Sequence, residues 1–248
     1  MDADLAFALE LAELADSITL PRFRALDLRV DTKPDLTPVS DADRAAERAL
    51  RERVARDRPG EGVLGEEEGD DGGATRWVID PIDGTRNFVR GIPVWATLVA
   101  LEREGEVVAA VASAPALARR WWAARGSGAF ADGQAIAVSA VGDLRDAAVS
   151  CAHALDLAEL EPHVWHARGL GDFWQHVLVA EGSLDAAVDS RLAAWDYAAV
   201  ALIVEEAGGR ASAPDGGPPR PDEQLVTSNG LLHAAVLPKI TLSARTSR

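Results

Sequence analysis

One stretch constrains this chain more than any other: Trp77-Val78-Ile79-Asp80-Pro81-Ile82-Asp83-Gly84-Thr85. Its first four residues are β-rich and read as a short strand. The strand ends in an aspartate, and a second aspartate stands three residues on, so two carboxylates are aimed at one location. Pro81 fixes the turn between them. The exposed carbonyl of Ile82 adds a neutral oxygen, and carboxylate, carbonyl and water oxygens are the donors Mg²⁺ takes in octahedral array. Gly84-Thr85 then opens a short helical turn into Arg86-Asn87-Phe88, where backbone N–H groups form an anion site. A hard-cation site and a phosphate cradle thus share six residues.

Two further motifs point to the same chemistry. Gly65-Glu66-Glu67-Glu68 follows a short strand, and Trp195-Asp196 opens a helix. Each puts a carboxylate at the end of an element, where backbone opens toward a ligand. Taken singly, each has a plain reading: Asp-Pro and Asp-Gly are ordinary turn formers, Glu66 to Glu68 a solvated loop, Asp196 a helix N-cap. Their weight lies in occurring together.

Around these motifs the pattern is mixed. An amphipathic helix is expected from Leu5 to Leu28, kinked or split at Pro21, then a polar loop from Arg29 to Val39. A second helix starts at Ser40, with Asp43 strengthening the cap, and stops at Pro59-Gly60. Strands are expected at Gly62 to Gly65, Val94 to Leu101, Val107 to Ala112, Arg120 to Ala124 and Gln134 to Val138, with Glu104-Gly105 turning a hairpin. The first half, residues 1–141, therefore reads as α+β. The second half, residues 142–248, alternates strands at Ala147, Leu184 and Leu225 with helices at Leu157 to Trp165, Gly171 to Glu181 and Asp196 to Ala207. A last helix is capped by Asn229. That is an α/β pattern.

The chain has 248 residues, 48% of them hydrophobic, enough for one large domain or two coupled halves. A net charge of −15 argues against nucleic acid and anionic membranes as partners. It leaves room for a phosphorylated metabolite, because bound cations reverse the local sign. The single cysteine, Cys151, excludes an internal disulfide. Met1 to Glu13 lacks the pattern of a signal peptide, and no apolar run is long enough to span a bilayer. A cytoplasmic location is expected.

The quoted motifs, with Glu206-Ala207-Gly208-Gly209, resemble the inositol monophosphatase family of Mg²⁺-dependent, lithium-sensitive phosphatases, over a match from Lys33 to His233. The resemblance implies a layered αβαβα sandwich, usually a homodimer. It implies two or three Mg²⁺ per subunit, held by Glu66, Asp80, the Ile82 carbonyl, Asp83 and Asp196. Gly84 and Thr85 match the phosphate-holding backbone, Lys33 a lysine on a mobile loop, and Asp41 an aspartate that pairs with Thr85. Asp189 matches a position contacting the substrate's organic part. The implied chemistry is direct hydrolysis: one metal, at Glu66 and Asp80, activates water, and a second, at Asp80, Asp83 and Asp196, stabilises the leaving alkoxide. Glu66, Asp41 and Thr85 are the expected catalytic residues, and the histidines read as structural.

Val89 to Trp95, Ser113 to Ala116, Arg119 to Arg125 and Arg168 to Phe173 resemble the histidinol-phosphate phosphatase branch of that family more than the inositol branch. The expected substrate is therefore histidinol phosphate, with inositol 1-phosphate or broad specificity as the alternative. Asp83, Gly84, Thr85 and Asp196 are expected around the phosphate. Asp172 and Asp189 would meet the cationic part of the substrate, with Arg168 orienting them. No basic cluster suited to a second phosphate is present.

Overall fold

The structure, a computed structural model, describes residues 2–152 and 158–240. Helix α1 (Ala3–Thr19) gives way to a single 3₁₀ turn at Leu20-Pro21-Arg22. The helix expected to reach Leu28 is thus split: the α-helix ends at Thr19, just ahead of Pro21, which offers no N–H to continue the ladder. The segment from Arg29 to Val39 is more ordered than a loop: β1 (Val30–Thr32) and β2 (Pro38–Ser40) pair as a hairpin. Helix α2 (Asp41–Asp57) follows with a full capping box. The Ser40 side chain accepts from the N–H of Asp43, and the Asp43 carboxylate accepts from the N–H of Ser40.

An eight-stranded sheet comes next. Its strands are β3 (Gly62–Gly65), β4 (Gly69–Asp70), β5 (Thr75–Asp83), β6 (Ala96–Arg103), β7 (Glu106–Ala114), β8 (Arg119–Ala124), β9 (Ala129–Ala131) and β10 (Gln134–Ile136). They lie in the order β10-β9-β8-β7-β6-β5-β3-β4, antiparallel throughout except where β3 runs parallel to β5. Short helix α3 (Thr85–Arg90) leaves the end of β5. The second sheet has β11 (Ala148–Cys151), β12 (His166–Arg168), β13 (Ala186–Leu192), β14 (Arg210–Ser212) and β15 (Glu223–Ser228), in the order β12-β11-β13-β15-β14. Helices α4 (Asp172–Ala180), α5 (Ala194–Glu206) and α6 (His233–Ile240) complete the described elements named here.

Strand alternation sets the layers. On one face of the large sheet, Trp77, Ile79, Val99, Leu101 and Val111 pack on α1 and α2. On the other, Val78, Leu98, Ala100, Ala110 and Ala112 pack on α4 and α5. Helix α5 is buried at every residue from Ala198 to Val204, as a helix clamped between two sheets must be. The far face of the second sheet, at Val149, Val188 and Val226, is covered by Leu160 and by Val236 and Ile240 of α6. The result is the αβαβα sandwich that the family resemblance implied. The core around α5 draws side chains from both sheets, so the two halves share one interior.

The helix expected at Leu157 to Trp165 is partly seen. Residues 158–160 are helical and pass into a 3₁₀ turn at Glu161–His163, while Leu157 lies outside the described residues. The Asn229 side chain accepts from the N–H of Leu232 at 3.1 Å, just ahead of α6.

Candidate active site

In a regular strand, residues three apart point to opposite faces, so Asp80 and Asp83 would diverge. They converge because β5 carries a bulge. Asp80 lies opposite Leu98 and Asp83 opposite Ala96, so three steps on β5 match two on β6. Pro81 sits in the bulge, where a missing N–H is tolerated. Its carbonyl accepts from Thr97 Oγ1 at 2.8 Å, and Asp80 Oδ1 accepts from the N–H of Ile82 at 2.9 Å. Below, Ile82, Phe88 and Trp95 form a small core, with the Phe88 and Trp95 rings edge to face at 4.9 Å.

Asp196 arrives on the first turn of α5, where its Oδ2 accepts from the N–H of Ala193 at 2.7 Å. Oxygens of Asp80, Asp83 and Asp196 all lie within 4.8 Å of one another. Asp83 Oδ2 also accepts from the N–H of Phe173 at 2.6 Å, tying the second half of the chain to the site. Glu66 lines the same cleft, on a turn held from behind. The buried carboxylate of Glu47 on α2 accepts from the N–H groups of Glu67 (2.7 Å) and Glu68 (2.9 Å). A Cβ at Gly65 would lie 2.2 Å from Glu47 Oε1, so this contact requires glycine. Lys33, at the tip of the β1–β2 hairpin, places Nζ 2.7 Å from Glu66 Oε1 and 2.6 Å from Glu67 Oε1.

The electrostatics match a cation site. Burial, then the charges of Glu66, Asp83 and Asp196, raises Asp80 well above the usual carboxylate range. Burial, then Asp172 and Asp196, does the same to Asp83. Burial pushes Asp196 up to about 7, aided by Glu66 and opposed by the Ala193 N–H. Like charges this close do not ionise together without a counter-ion. An all-oxygen donor set of carboxylates suits a hard divalent cation.

Thr85 follows Gly84, whose φ of +83° is left-handed. A Cβ there would crowd the Val94 carbonyl at 3.1 Å. Thr85 Oγ1 lies 3.0 Å from the Ile82 carbonyl and 3.3 Å from Asp43 Oδ1. This corrects the expectation for Asp41. Asp41 is the first residue of α2 and turns outward to Arg22 at 2.8 Å. Asp43, at the third helical position, folds back over the cap and so reaches Thr85. Burial raises the Asp43 carboxyl above its usual range.

The cleft has two lobes that share Asp83, Asp172 and Asp196. One, of about 200 Å³, is lined by Thr37, Glu66, Asp80, Ile82, Gly84, Thr85 and Arg86. The other, of about 170 Å³, is lined by Phe173, His176, Asp189 and Leu192. Asp172 opens α4 with φ +50°, left-handed for a residue bearing a Cβ, and its Oδ2 accepts from Asn87 Nδ2 at 2.9 Å. Burial raises its carboxyl above the usual range. Asp189 Oδ2 accepts from Gln175 Nε2 at 2.9 Å.

An inositol monophosphatase family model matches residues 1–245. The chain belongs to the inositol monophosphatase family. It is 50% identical to a histidinol-phosphatase of Mycobacterium tuberculosis, covering 96% of this chain and 97% of the relative. It is 47% identical to a histidinol-phosphatase of Streptomyces coelicolor, covering 94% and 95%. A solved structure of a Thermotoga maritima IMPase superposes with a TM-score of 0.91, at 31% identity and 98% coverage of both chains. As a member of this family the chain is a phosphoric monoester hydrolase, and the family's dependence on metal agrees with its acidic cluster.

Within this inositol monophosphatase fold, the expected residues Glu66, Asp80, Ile82, Asp83, Gly84, Thr85 and Asp196 line one lobe, and Asp172 and Asp189 line the other. Arg168 does not join them. It is exposed on β12, the edge strand of the second sheet, with Nε directed at His166 Nε2 at 2.9 Å. Asp43, Glu47 and His176 escaped sequence reasoning. Asp43 and Glu47 stand on an ordinary-looking polar helix, and His176 on an apolar one. Only the Ser40–Asp43 cap was legible. Among the described residues, no helix is long and apolar enough to cross a membrane.

Proposed function

We propose that this chain hydrolyses histidinol phosphate to histidinol and inorganic phosphate, with two or three Mg²⁺ held by Glu66, Asp80, the Ile82 carbonyl, Asp83 and Asp196. The observation that carries the reading is the joined pair of lobes: a four-carboxylate cluster beside a second lobe whose added acid is Asp189, with Asp172 on the shared wall. The near-full-length relatives named histidinol-phosphatase support the substrate. Bound there, Mg²⁺ supplies Lewis-acid stabilisation of phosphoryl charge and acidifies water.

The chain's own groups do the rest. Backbone N–H groups of Gly84 and Thr85, at the start of α3, hold the phosphate, because first-turn donors have no partner within their helix. Thr85 Oγ1 orients the attacking water and passes a proton toward Asp43 Oδ1, a carboxylate whose burial makes it a stronger base. Asp172 and Asp189 receive the substrate's ammonium and ring N–H as charge-assisted hydrogen bonds. The protein acts as a cytoplasmic homodimer, each subunit built of the halves 1–141 and 142–248.

Inositol 1-phosphate is the second reading, favoured by the similarity to the Thermotoga IMPase. Phosphate release from histidinol phosphate, inositol 1-phosphate and an adenosine bisphosphate, with and without Mg²⁺, separates the readings. The expected result is Mg²⁺-dependent preference for histidinol phosphate. Equal or better use of inositol 1-phosphate would overturn it.

A further inference from the structure

The second lobe holds one group that this chemistry leaves unused. His176 stands one helical turn after Asp172 on α4, on the same face, and is only 1% exposed. Its Nδ1 lies 2.8 Å from Thr227 Oγ1. Its Nε2 has no hydrogen-bond partner and lies 3.9 Å from Asp189 Oδ2, too far for a bond. Asp189 Oδ2 already has a donor in Gln175. Buried polar atoms left unpaired are rare enough to call for a reason.

The surroundings select the tautomer. Burial drives the imidazole down to about 3, so the ring is neutral, with one donor and one acceptor nitrogen. A lone pair on Nε2 would face the Asp189 carboxylate and be repelled. A proton on Nε2 is attracted, and Nδ1 then accepts from the Thr227 hydroxyl. The other side chains around this lobe are four aspartates, Phe173 and Leu192. Among the described residues that line this lobe, Nε2–H is therefore the one neutral side-chain donor in a wall of acceptors. Carboxylates alone would suit any cation. Adding this donor demands a ligand that also carries a neutral acceptor.

We propose that His176 is a specificity-determining residue whose Nε2–H donates a hydrogen bond to a neutral acceptor on the alcohol portion of the substrate, which in histidinol phosphate is the unprotonated ring nitrogen of the imidazole. This rests on the reading of the chain as a histidinol phosphatase. Near pH 8 the substrate's own imidazole is neutral and offers one N–H and one lone pair. Asp189 takes the N–H and His176 meets the lone pair, whereas glycerol 2-phosphate, short and acyclic, has no ring to span the two.

The test compares His176→Phe and His176→Gln with the wild-type Mg²⁺-loaded enzyme, on histidinol phosphate and on glycerol 2-phosphate. Phe keeps the ring shape without a donor; the Gln amide restores an N–H near the position of Nε2. His176→Phe should lower kcat/KM for histidinol phosphate on the order of 10- to 100-fold, chiefly through KM, with glycerol 2-phosphate nearly unchanged and His176→Gln recovering most of the loss. In ¹⁵N-histidine-labelled wild-type enzyme, adding histidinol should shift the His176 Nε2 resonance, assigned with the Gln variant. Equal losses on both substrates, or an unmoved resonance, would overturn the assignment and leave His176 a structural residue. A wild-type enzyme with no preference for histidinol phosphate would overturn the substrate reading as well. A preference retained in His176→Phe would overturn only this inference.

Discussion

Replacing Asp43 by asparagine tests the site where structure and sequence disagree. In the native site Asp43 serves two partners at once. Its Oδ2 accepts from Ser40 N at 2.8 Å and from Ser40 Oγ at 2.5 Å, and its Oδ1 faces Thr85 Oγ1 at 3.3 Å. An asparagine has only one oxygen. Turned toward Ser40, it preserves the cap and presents its NH₂ to Thr85, so the hydroxyl must accept there and send its proton to the Ile82 carbonyl. The helix survives, since loss of even a whole cap costs about 0.5–2 kcal/mol. At this chain length that is a fall in Tm of roughly 1–8 °C. Catalysis loses its proton acceptor, a group of a kind worth on the order of 10²–10⁴-fold. Asp43→Asn should therefore reduce kcat about 100-fold or more while KM changes little. Asp41→Asn, which breaks a half-exposed ion pair with Arg22, should cost under about 1 kcal/mol of stability and leave kcat near wild type. Steady-state phosphate release with a melting curve for each variant gives the answer. Near-normal kcat in Asp43→Asn, or an equal loss in Asp41→Asn, would refute the assignment.

Three further outcomes follow from the acidic cluster and the second lobe. Asp83→Asn keeps the acceptor for the Phe173 N–H but removes a charge from the cation site; kcat should fall by more than the roughly 10- to 100-fold that loss of a mere partner of a metal ligand costs, with weaker Mg²⁺ activation, and unchanged turnover would remove Asp83 from the metal ligands. Because Asp196 titrates near 7 in the fold and near 4 when unfolded, the metal-free fold holds protons that the unfolded chain has released across that window. The stability that Asp196 contributes is therefore fully present below about pH 4 and is lost as pH rises through about 7. Melting curves should show this decline, Mg²⁺ should offset it, and Asp196→Asn should flatten it; parallel curves for variant and wild type would refute the coupling. Asp172→Asn, at a left-handed φ that asparagine tolerates, should lower kcat/KM for histidinol phosphate about 10- to 100-fold and spare glycerol 2-phosphate. Equal losses on both substrates would mark Asp172 as structural.

The sequence by itself determined the chemistry and, through its family resemblance, the layers. The Asp80 to Thr85 run, Glu66 and Asp196 are each local statements: a residue type at the end of an element whose periodicity is visible in a dozen neighbours. The unbroken apolar runs at Trp77-Val78-Ile79 and in α5 suit a strand buried on both faces and a helix clamped between sheets, which is where the structure puts them. Tertiary structure decided what depends on distance across the fold. The family resemblance pointed to Asp41 as Thr85's partner, but helix rotation turns Asp41 to Arg22 and Asp43 to Thr85. The bulge that makes Asp80 and Asp83 converge exists only in the register against β6. Glu47 became a support of the Glu66 turn because α2 packs where Gly65 leaves room for it. Arg168, adjacent in sequence to promising residues, was carried to a sheet edge. His176 could not be told from a core histidine until β13 and β15 placed Asp189 on one side of its ring and Thr227 on the other. Side-chain direction at such positions is set by pairing register and helix docking, which are long-range contacts that no local window of the sequence contains.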